Sequence, residues 1–189
     1  MAAGYPVVIN EVTVNTIEAL YQALRFPCFP EIQESIIKER SPMAAKFVAK
    51  RHKVQSRADW NRHRVSIMRW CLQLKLAFHW HEFGCLLEST QNKNIVEEST
   101  KDAFWGAIAV GDAELEGVNA LGRLLMELRD VYINNRNKIT HSILAPCISD
   151  FTFLGNRIDL ITVISETASE KPNPVKQKNR QIVIPGFDD

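Results

Sequence analysis

Residues 57–83 carry the longest helical pattern in the chain, and that pattern is apolar on more than one side. Val65, Met68, Leu72, Leu76 and Phe78 recur at mostly helical spacing, and Trp60, Trp70, Cys71, Leu74 and Ala77 widen the stripe. A helix of this kind has to be covered on most of its circumference. The remaining chain must supply the cover, which points to a fold that is mainly α with minor β (α+β). The length, 189 residues, suits one domain with a core of its own. Gly84 is expected to end or bend the long helix, with 85–89 adding a further turn.

The flanking sequence supplies shorter elements. Residues 5–14 (YPVVINEVTV) are β-branched and interrupted by polar residues, which predicts a strand or hairpin. Asn15 or Thr16 can cap a helix over about 17–26, with Glu18 in its first turn and Pro27 beyond its end. Pro30 opens a second helix to about Arg40. Ser41-Pro42 reads as a cap followed by proline at the first helical position, so a third helix covers about 43–51. QNKN (91–94) reads as a loop, Ile95-Val96 as a short extended piece and Gly111–Gly117 as a loop. Val118 to Ile143 is expected to be helical again. Alternation over Phe151–Ile164 around Gly155-Asn156 predicts a hairpin or a final strand. Residues 165–180 are polar with two prolines and read as a flexible tail, while 181–187 (QIVIPGF) could dock back as a strand.

Charge and cysteine content narrow the class. Hydrophobic residues make up 46% and charged residues 24%, as in a soluble globular protein. No apolar run approaches the roughly 18–20 residues that span a bilayer, so no membrane partner is expected. The opening MAAGYPVVINEV lacks a basic region before its short apolar stretch, so no secretory leader is expected and the chain is placed in the cytoplasm. Cys28, Cys71, Cys85 and Cys147 are widely spaced with no CxxC, which predicts buried reduced thiols rather than a disulfide or zinc framework. His79 and His81 stand two apart, the wrong spacing for a shared metal on a helix. Net charge is only +1. Even so, Lys50, Arg51, Lys53, Arg57, Arg62 and Arg64 crowd into 50–64 with Asp59 as the one acid. Such a patch suits a pyrophosphate or a DNA backbone, and it is equally compatible with a solvated basic face.

Five blocks carry a resemblance. TIEALYQALRF (16–26) sets Glu18, Gln22, Arg25 and Phe26 along one helix, and SPMAAKFVAKR (41–51) centres on Lys46. RADWNRHRVSIMRWCLQLKLAF (57–78) holds Asp59, Trp60, Arg64, Met68 and Lys75. IVEESTKDAFWGA (95–107) holds Glu97, Asp102, Trp105 and Gly106, and GVNALGRLLMELR (117–129) holds Asn119, Gly122, Met126 and Arg129. In this order over 16–130, the blocks resemble those of the NADAR (YbiA-like) N-glycosidases. Many family members carry histidine after the first-helix glutamate and lysine where Arg25 stands; here the positions hold Ala19 and Arg25. The form EALYQ-x-x-RFP looks like the branch found beside DNA ADP-ribosyltransferase toxins, whose members act as antitoxins. That branch also has a short asparagine-containing segment before its MA-GYP stretch, whereas this chain opens at Met1 of MAAGYP.

The resemblance implies a single compact YbiA-like domain over 1–164 and a polar C-terminal tail over 165–189. It implies cleavage between a nitrogen and the anomeric carbon of a ribose, in ADP-ribosyl-guanine of DNA for the toxin-linked branch. The implied partners are the ADP-ribose moiety, the modified DNA and a cognate ADP-ribosyltransferase toxin. The reaction needs a nucleophile, an acid/base and cations for the pyrophosphate, and it calls for no cofactor and no metal. A lysine serves as nucleophile through its neutral amine, which desolvation or nearby cations favour.

Lys46 is the implied nucleophile and Glu18 the implied acid/base. Their plain structural readings are a surface lysine and a first-turn carboxylate. Gln22, Arg25, Arg64, Glu97, Asp102, Trp105, Gly106, Asn119 and Arg129 are the implied substrate-binding residues. Trp105 can stack on a base or pack in the core, and Gly106 permits close backbone approach. Arg64 and Arg129 can hold phosphates or form structural ion pairs. Asp102 and Asn119 can each cap a local element instead of binding ligand. Two other functions stay open at this level: an N-glycosidase acting on a small phosphorylated metabolite, such as a free ADP-ribosyl compound or a riboflavin-pathway intermediate, and a non-catalytic ADP-ribose-binding module.

Overall fold

The computed structural model describes residues 4–111 and 114–165. Its N-terminal hairpin pairs β1 (Val7–Ile9) with β2 (Val12–Val14), with Ile9 opposite Val12. The two turn residues, Asn10 and Glu11, both have positive φ (47° and 67°), which matches the right-handed twist of a two-residue hairpin. Three helices follow: α1 (Ile17–Ala23), α2 (Pro30–Ile37) and α3 (Pro42–Arg51). Thr16 caps α1 by accepting from the Ala19 amide at 3.1 Å, and Ser41 caps α3 by accepting from the Ala44 amide at 3.0 Å. Both α1 and α2 end about three residues earlier than the sequence pattern suggests.

The long helical signal is two helices. α4 spans Trp60–Phe78 and α5 spans Trp80–Ser89, with His79 between them in a non-helical conformation. His79 Nε2 lies 2.6 Å from the Pro6 carbonyl, and its ring meets the Tyr5 edge at 5.1 Å. Trp80 is buried, and its indole N–H donates to the Arg136 carbonyl at 3.2 Å. These neighbouring residues belong to different compact units, the first formed among the described residues by 4–79 with 140–164 and the second by 80–111, 114–139 and Ser165. Gly84 does not end the helix. It lies inside α5, where a Cβ would stand 2.2 Å from the Tyr132 ring.

In the second unit, Glu114–Glu116 of the expected loop is a strand. β3 (Ile108–Val110) pairs with β4 (Glu114–Glu116). α6 covers Ala120–Asn134 and packs against α5. The expected helix from Val118 to Ile143 therefore stops early, at an asparagine-rich turn where Asn135 Nδ2 donates to the Val131 carbonyl at 2.8 Å. Beyond it, Thr140–Leu144 is a strand, β5, because a partner exists later in the chain.

That partner completes the first unit. β6 (Thr152–Phe153) and β7 (Asn156–Arg157) form a tight hairpin around Leu154-Gly155, and β8 (Leu160–Ile164) pairs with all five residues of β5. α4 runs against β1, β5 and β8, and Trp70 meets the Phe151 ring edge at 5.1 Å. Among the described residues the fold is mainly helical with minor β, as the sequence predicts, and the strands pair into four two-stranded antiparallel sheets. No described helix is long and apolar enough to cross a membrane. Three of the four cysteines, Cys28, Cys85 and Cys147, are exposed, so only Cys71 fits the expected buried thiol. Apart from Ser165, the polar tail and the 181–187 strand lie outside the described residues.

Glu11 occupies a left-handed position that glycine adopts at no steric cost. Glu11→Gly creates the Asn-Gly turn preferred in such hairpins and is expected to raise stability by up to about 1 kcal/mol. Denaturant unfolding checks this: an unchanged or lower midpoint contradicts the turn geometry.

Candidate functional site

All seven residues of α1 are buried, including Glu18 at 2% exposure and Gln22 at 3%. A carboxylate rarely sits on a helix without a wet face unless the interior makes use of it. Glu18 occupies the first turn, where the helix dipole favours negative charge. Gln22, one turn on, donates Nε2–H to Glu18 Oε1 at 2.9 Å. The other end of that amide, Gln22 Oε1, is buried without a hydrogen-bond partner. A buried acceptor left so costs roughly 1–3 kcal/mol, and a ligand hydroxyl or N–H reaching it would recover that. Glu18 also faces the Cys71 thiol of α4. Burial, and then the Glu18 charge, push the Cys71 thiol well above its usual range.

α1 packs against α2, α3 and α4, so the helix of Glu18 adjoins the helix of Lys46. α3 turns Ala45 and Ala49 inward and leaves Lys46 half-buried. Just past the end of α1, Arg25 donates Nε–H to Ser56 Oγ at 2.8 Å, and its guanidinium lies 5.2 Å from the Trp60 ring centre. Its carbonyl accepts from the Arg57 amide at 2.9 Å. Arg25 thereby fastens the turn between α3 and α4. Arg64 is half-buried on α4.

Lys75, also on α4, is buried with its ammonium 4.1 Å from the Tyr5 ring centre, a cation–π contact. The sequence reading left it without a role. The signal was visible as a lone cation inside the apolar stripe, one turn after Cys71.

The second unit gathers the other nominated residues. Ser99 N–H donates to the Ala107 carbonyl at 2.9 Å and Ala107 N–H to the Glu97 carbonyl at 2.8 Å, so the two segments run together as a parallel bridge. Gly106 permits this: a Cβ there would stand 2.4 Å from the Glu97 carbonyl oxygen. Glu97 is fully buried. Asp102 Oδ1 accepts from the amides of Phe104 and Trp105, each at 2.8 Å, which fixes the turn, while Oδ2 is buried with no hydrogen-bond partner. Trp105 is 1% exposed and packs edge-on to Phe104 at 5.3 Å.

Asn119 stands at the N-cap of α6 with φ 51°, but its side chain reaches elsewhere. Oδ1 accepts from the Glu97 amide at 3.0 Å and Nδ2 donates to the Ile95 carbonyl at 2.8 Å, so it braces 95–97. Arg129 is buried and donates Nη1–H to Thr90 Oγ1 and the Lys93 carbonyl, both at 2.8 Å, bracing the loop after α5. The nominated residues thus form one group on α1, α3 and α4 and another on 95–129.

The NADAR domain model matches residues 2–132, more than half of the chain and all the nominated residues. The chain belongs to the NADAR family. It is similar to N-glycosidase YbiA of Escherichia coli (strain K12), 33% identical over 128 residues, covering 68% of this chain and 76% of that protein. It is similar to the chloroplastic riboflavin biosynthesis protein PYRR of Zea mays, 34% identical over 126 residues, covering 62% of this chain but 19% of that protein. In structure it is similar to the NMR structure of E. coli YbiA, with a TM-score of 0.59 and 30% identity over 71% of this chain and 77% of that one. The fold is that of a YbiA-like domain, and the NADAR match draws on residues of both units.

A cavity of about 800 Å³ lies among Leu144, Ile148, Phe151, Ile158 and Leu160. It sits beyond the NADAR match, and none of the nominated residues lines it.

Two outcomes test this geometry. Alkylation of the native protein near neutral pH, followed by mass spectrometry, is expected to label Cys28, Cys85 and Cys147 and spare Cys71. Because Cys71 ionises later in the fold than in the unfolded chain, its contribution to stability holds below about pH 8.5 and is lost as pH rises. Native labelling of Cys71 at the rate of the others contradicts its burial. Gly106→Ala is expected to cost about 1–3 kcal/mol by forcing 97–99 away from 106–107; a melting temperature equal to wild type contradicts the close approach.

Proposed function

We propose that this NADAR protein is an ADP-ribosyl-guanine N-glycosidase that removes ADP-ribose from guanine in DNA, acting as antitoxin to an ADP-ribosyltransferase toxin. The observation that carries the reading is the buried Glu18–Gln22 pair on α1, with its unpartnered acceptor at Gln22 Oε1, beside the helix of Lys46. Similarity to N-glycosidase YbiA supports the bond type. The EALYQ-x-x-RFP form, with Ala19 and Arg25, supports the DNA substrate.

In this reading the neutral amine of Lys46 attacks the anomeric carbon, and the bond from that carbon to the guanine nitrogen breaks. Glu18 delivers the proton that the departing guanine takes up. The ribose ring opens to a Schiff base on Lys46, and water activated by the Glu18 carboxylate hydrolyses it, returning the free amine and ADP-ribose. Gln22 Oε1 accepts from a ribose hydroxyl. Arg64 neutralises pyrophosphate charge, with Arg25 holding the neighbouring turn. The family resemblance also nominates Glu97, Asp102, Trp105, Gly106, Asn119 and Arg129 of the second unit for substrate binding.

Borohydride trapping during turnover of a guanine-modified oligonucleotide is expected to leave a reduced adduct on Lys46. Lys46→Ala is expected to lower the rate at least about 100-fold, and Glu18→Gln by about 100- to 10,000-fold. Wild-type turnover by Lys46→Ala, with no adduct on any lysine, rejects the mechanism.

The similarity to the Zea mays riboflavin biosynthesis protein favours a second reading, an N-glycosidase for a small phosphorylated metabolite. That version predicts turnover of free metabolites with no polynucleotide present. Thermal stabilisation by ADP-ribose without product from any substrate would leave a binding module.

A further inference from the structure

α3 is built inside out for a helix of its size. Met43, Phe47 and Lys50 fall at i, i+4 and i+7 and share the outer face, opposite the buried Ala45 and Ala49, with the half-buried Lys46 at its edge. On that outer face Met43 is 67% exposed and Phe47 66% exposed, and past the helix Val54 is 96% exposed. Lys50, Arg51, Lys53 and Arg62 are exposed around them, with no ion-pair partner among the described residues. The acid of this stretch is already engaged: Arg57 holds Asp59 at 2.5 Å, His63 lies 3.4 Å from its other oxygen, and the Arg57 hydrogen bond draws its carboxyl below the usual range.

The surface is also held in place. Arg25 bonds Ser56, Ser56 Oγ donates to the Lys53 carbonyl at 2.7 Å, and Arg57 Nη2 donates to the Ser149 carbonyl at 2.8 Å. The turn is therefore tied down from beneath while Lys53 and Val54 stay bare. Aromatic and apolar side chains interleaved with uncompensated cations fit single-stranded nucleic acid, where rings stack on bases and cations follow phosphates.

We propose that the outer face of α3, the turn after it and the exposed side of the first turn of α4, from Met43 to Arg62, dock single-stranded or locally opened DNA. Phe47 stacks on a base, and Lys50, Arg51, Lys53 and Arg62 follow the backbone. Lys46 borders that stripe, so a strand seated here passes the proposed nucleophile. The inference rests on the DNA reading of the function and adds a surface to it. Burial of this face in a membrane would desolvate the cations that lie between Met43 and Phe47 and beside them, for only two helical apolar side chains in return.

The test measures binding of the full chain to a short unmodified fluorescein-labelled single-stranded oligonucleotide, by anisotropy across rising salt. Phe47→Ala is expected to weaken binding about tenfold. Lys50→Gln with Lys53→Gln is expected to reduce the slope of log affinity against log salt by about 1.4, or about 0.7 per lost phosphate contact. Lys38→Gln, on a cation paired with Glu34 at 3.0 Å, is expected to change neither. Melting temperatures should stay at wild type, since the altered side chains are exposed.

If both the Phe47 and the lysine variants bind oligonucleotide and deglycosylate modified DNA as wild type does, the surface is wrong while the DNA reading stands. If wild type neither binds nor turns over oligonucleotides yet cleaves a free metabolite, both fall. Binding of anionic phospholipid vesicles through these same residues, with no competition by oligonucleotide, overturns the proposal in favour of a membrane face.

Discussion

The first unit depends on burying α1 on every side. A seven-residue helix has little stability of its own, so packing against α2, α3 and α4 must hold it. That packing also carries Glu18 and Gln22 away from water. Their mutual hydrogen bond satisfies one oxygen of the pair and leaves the Gln22 carbonyl unanswered. The helix that closes the core therefore also places a polar pair there that the core does not fully use. The same burial, and then the Glu18 charge, push the Cys71 thiol well above its usual range.

The second unit solves a different problem, the close approach of backbone segments. Gly106 lets 97–99 lie against 106–107, and Gly122 lets the start of α6 approach the Ile95 carbonyl, where a Cβ would come within 2.1 Å. Asn119 then ties that contact down from its left-handed position. Asp102 and Arg129 use much of their hydrogen-bonding capacity to hold turns. A residue that braces a loop and a residue that binds ligand need not be different residues. A braced backbone is what keeps an unpartnered atom such as Asp102 Oδ2 in one place.

Much of the candidate site was legible because it is local. Glu18 and Gln22 are one helical turn apart, and the Ser41-Pro42 start of α3 and the caps at Thr16 and Ser41 are short-range signals. What the pattern missed is long-range. The apolar stripe runs unbroken through Phe78, Trp80 and Phe83, so nothing local announces that His79 leaves the helix for the Pro6 carbonyl. THSIL at 140–144 can continue a helix or form a strand, and only the later LITVI segment decides for the strand. The exposure of Phe47 was equally hidden, since an aromatic at helical spacing usually faces inward.

By itself, the sequence determined the family, the starts of α1, α2 and α3 and the identity of the polar residues offered for chemistry, because aligned blocks, caps and periodicity are properties of neighbouring residues. Tertiary structure alone decided which of those residues are buried, where the long helix breaks, and that α3 turns Ala45 and Ala49 to the core and Phe47 and Lys50 to water. Burial and pairing depend on which distant segments arrive alongside, and in this chain Pro6, α1 and the β5–β8 pair made those choices.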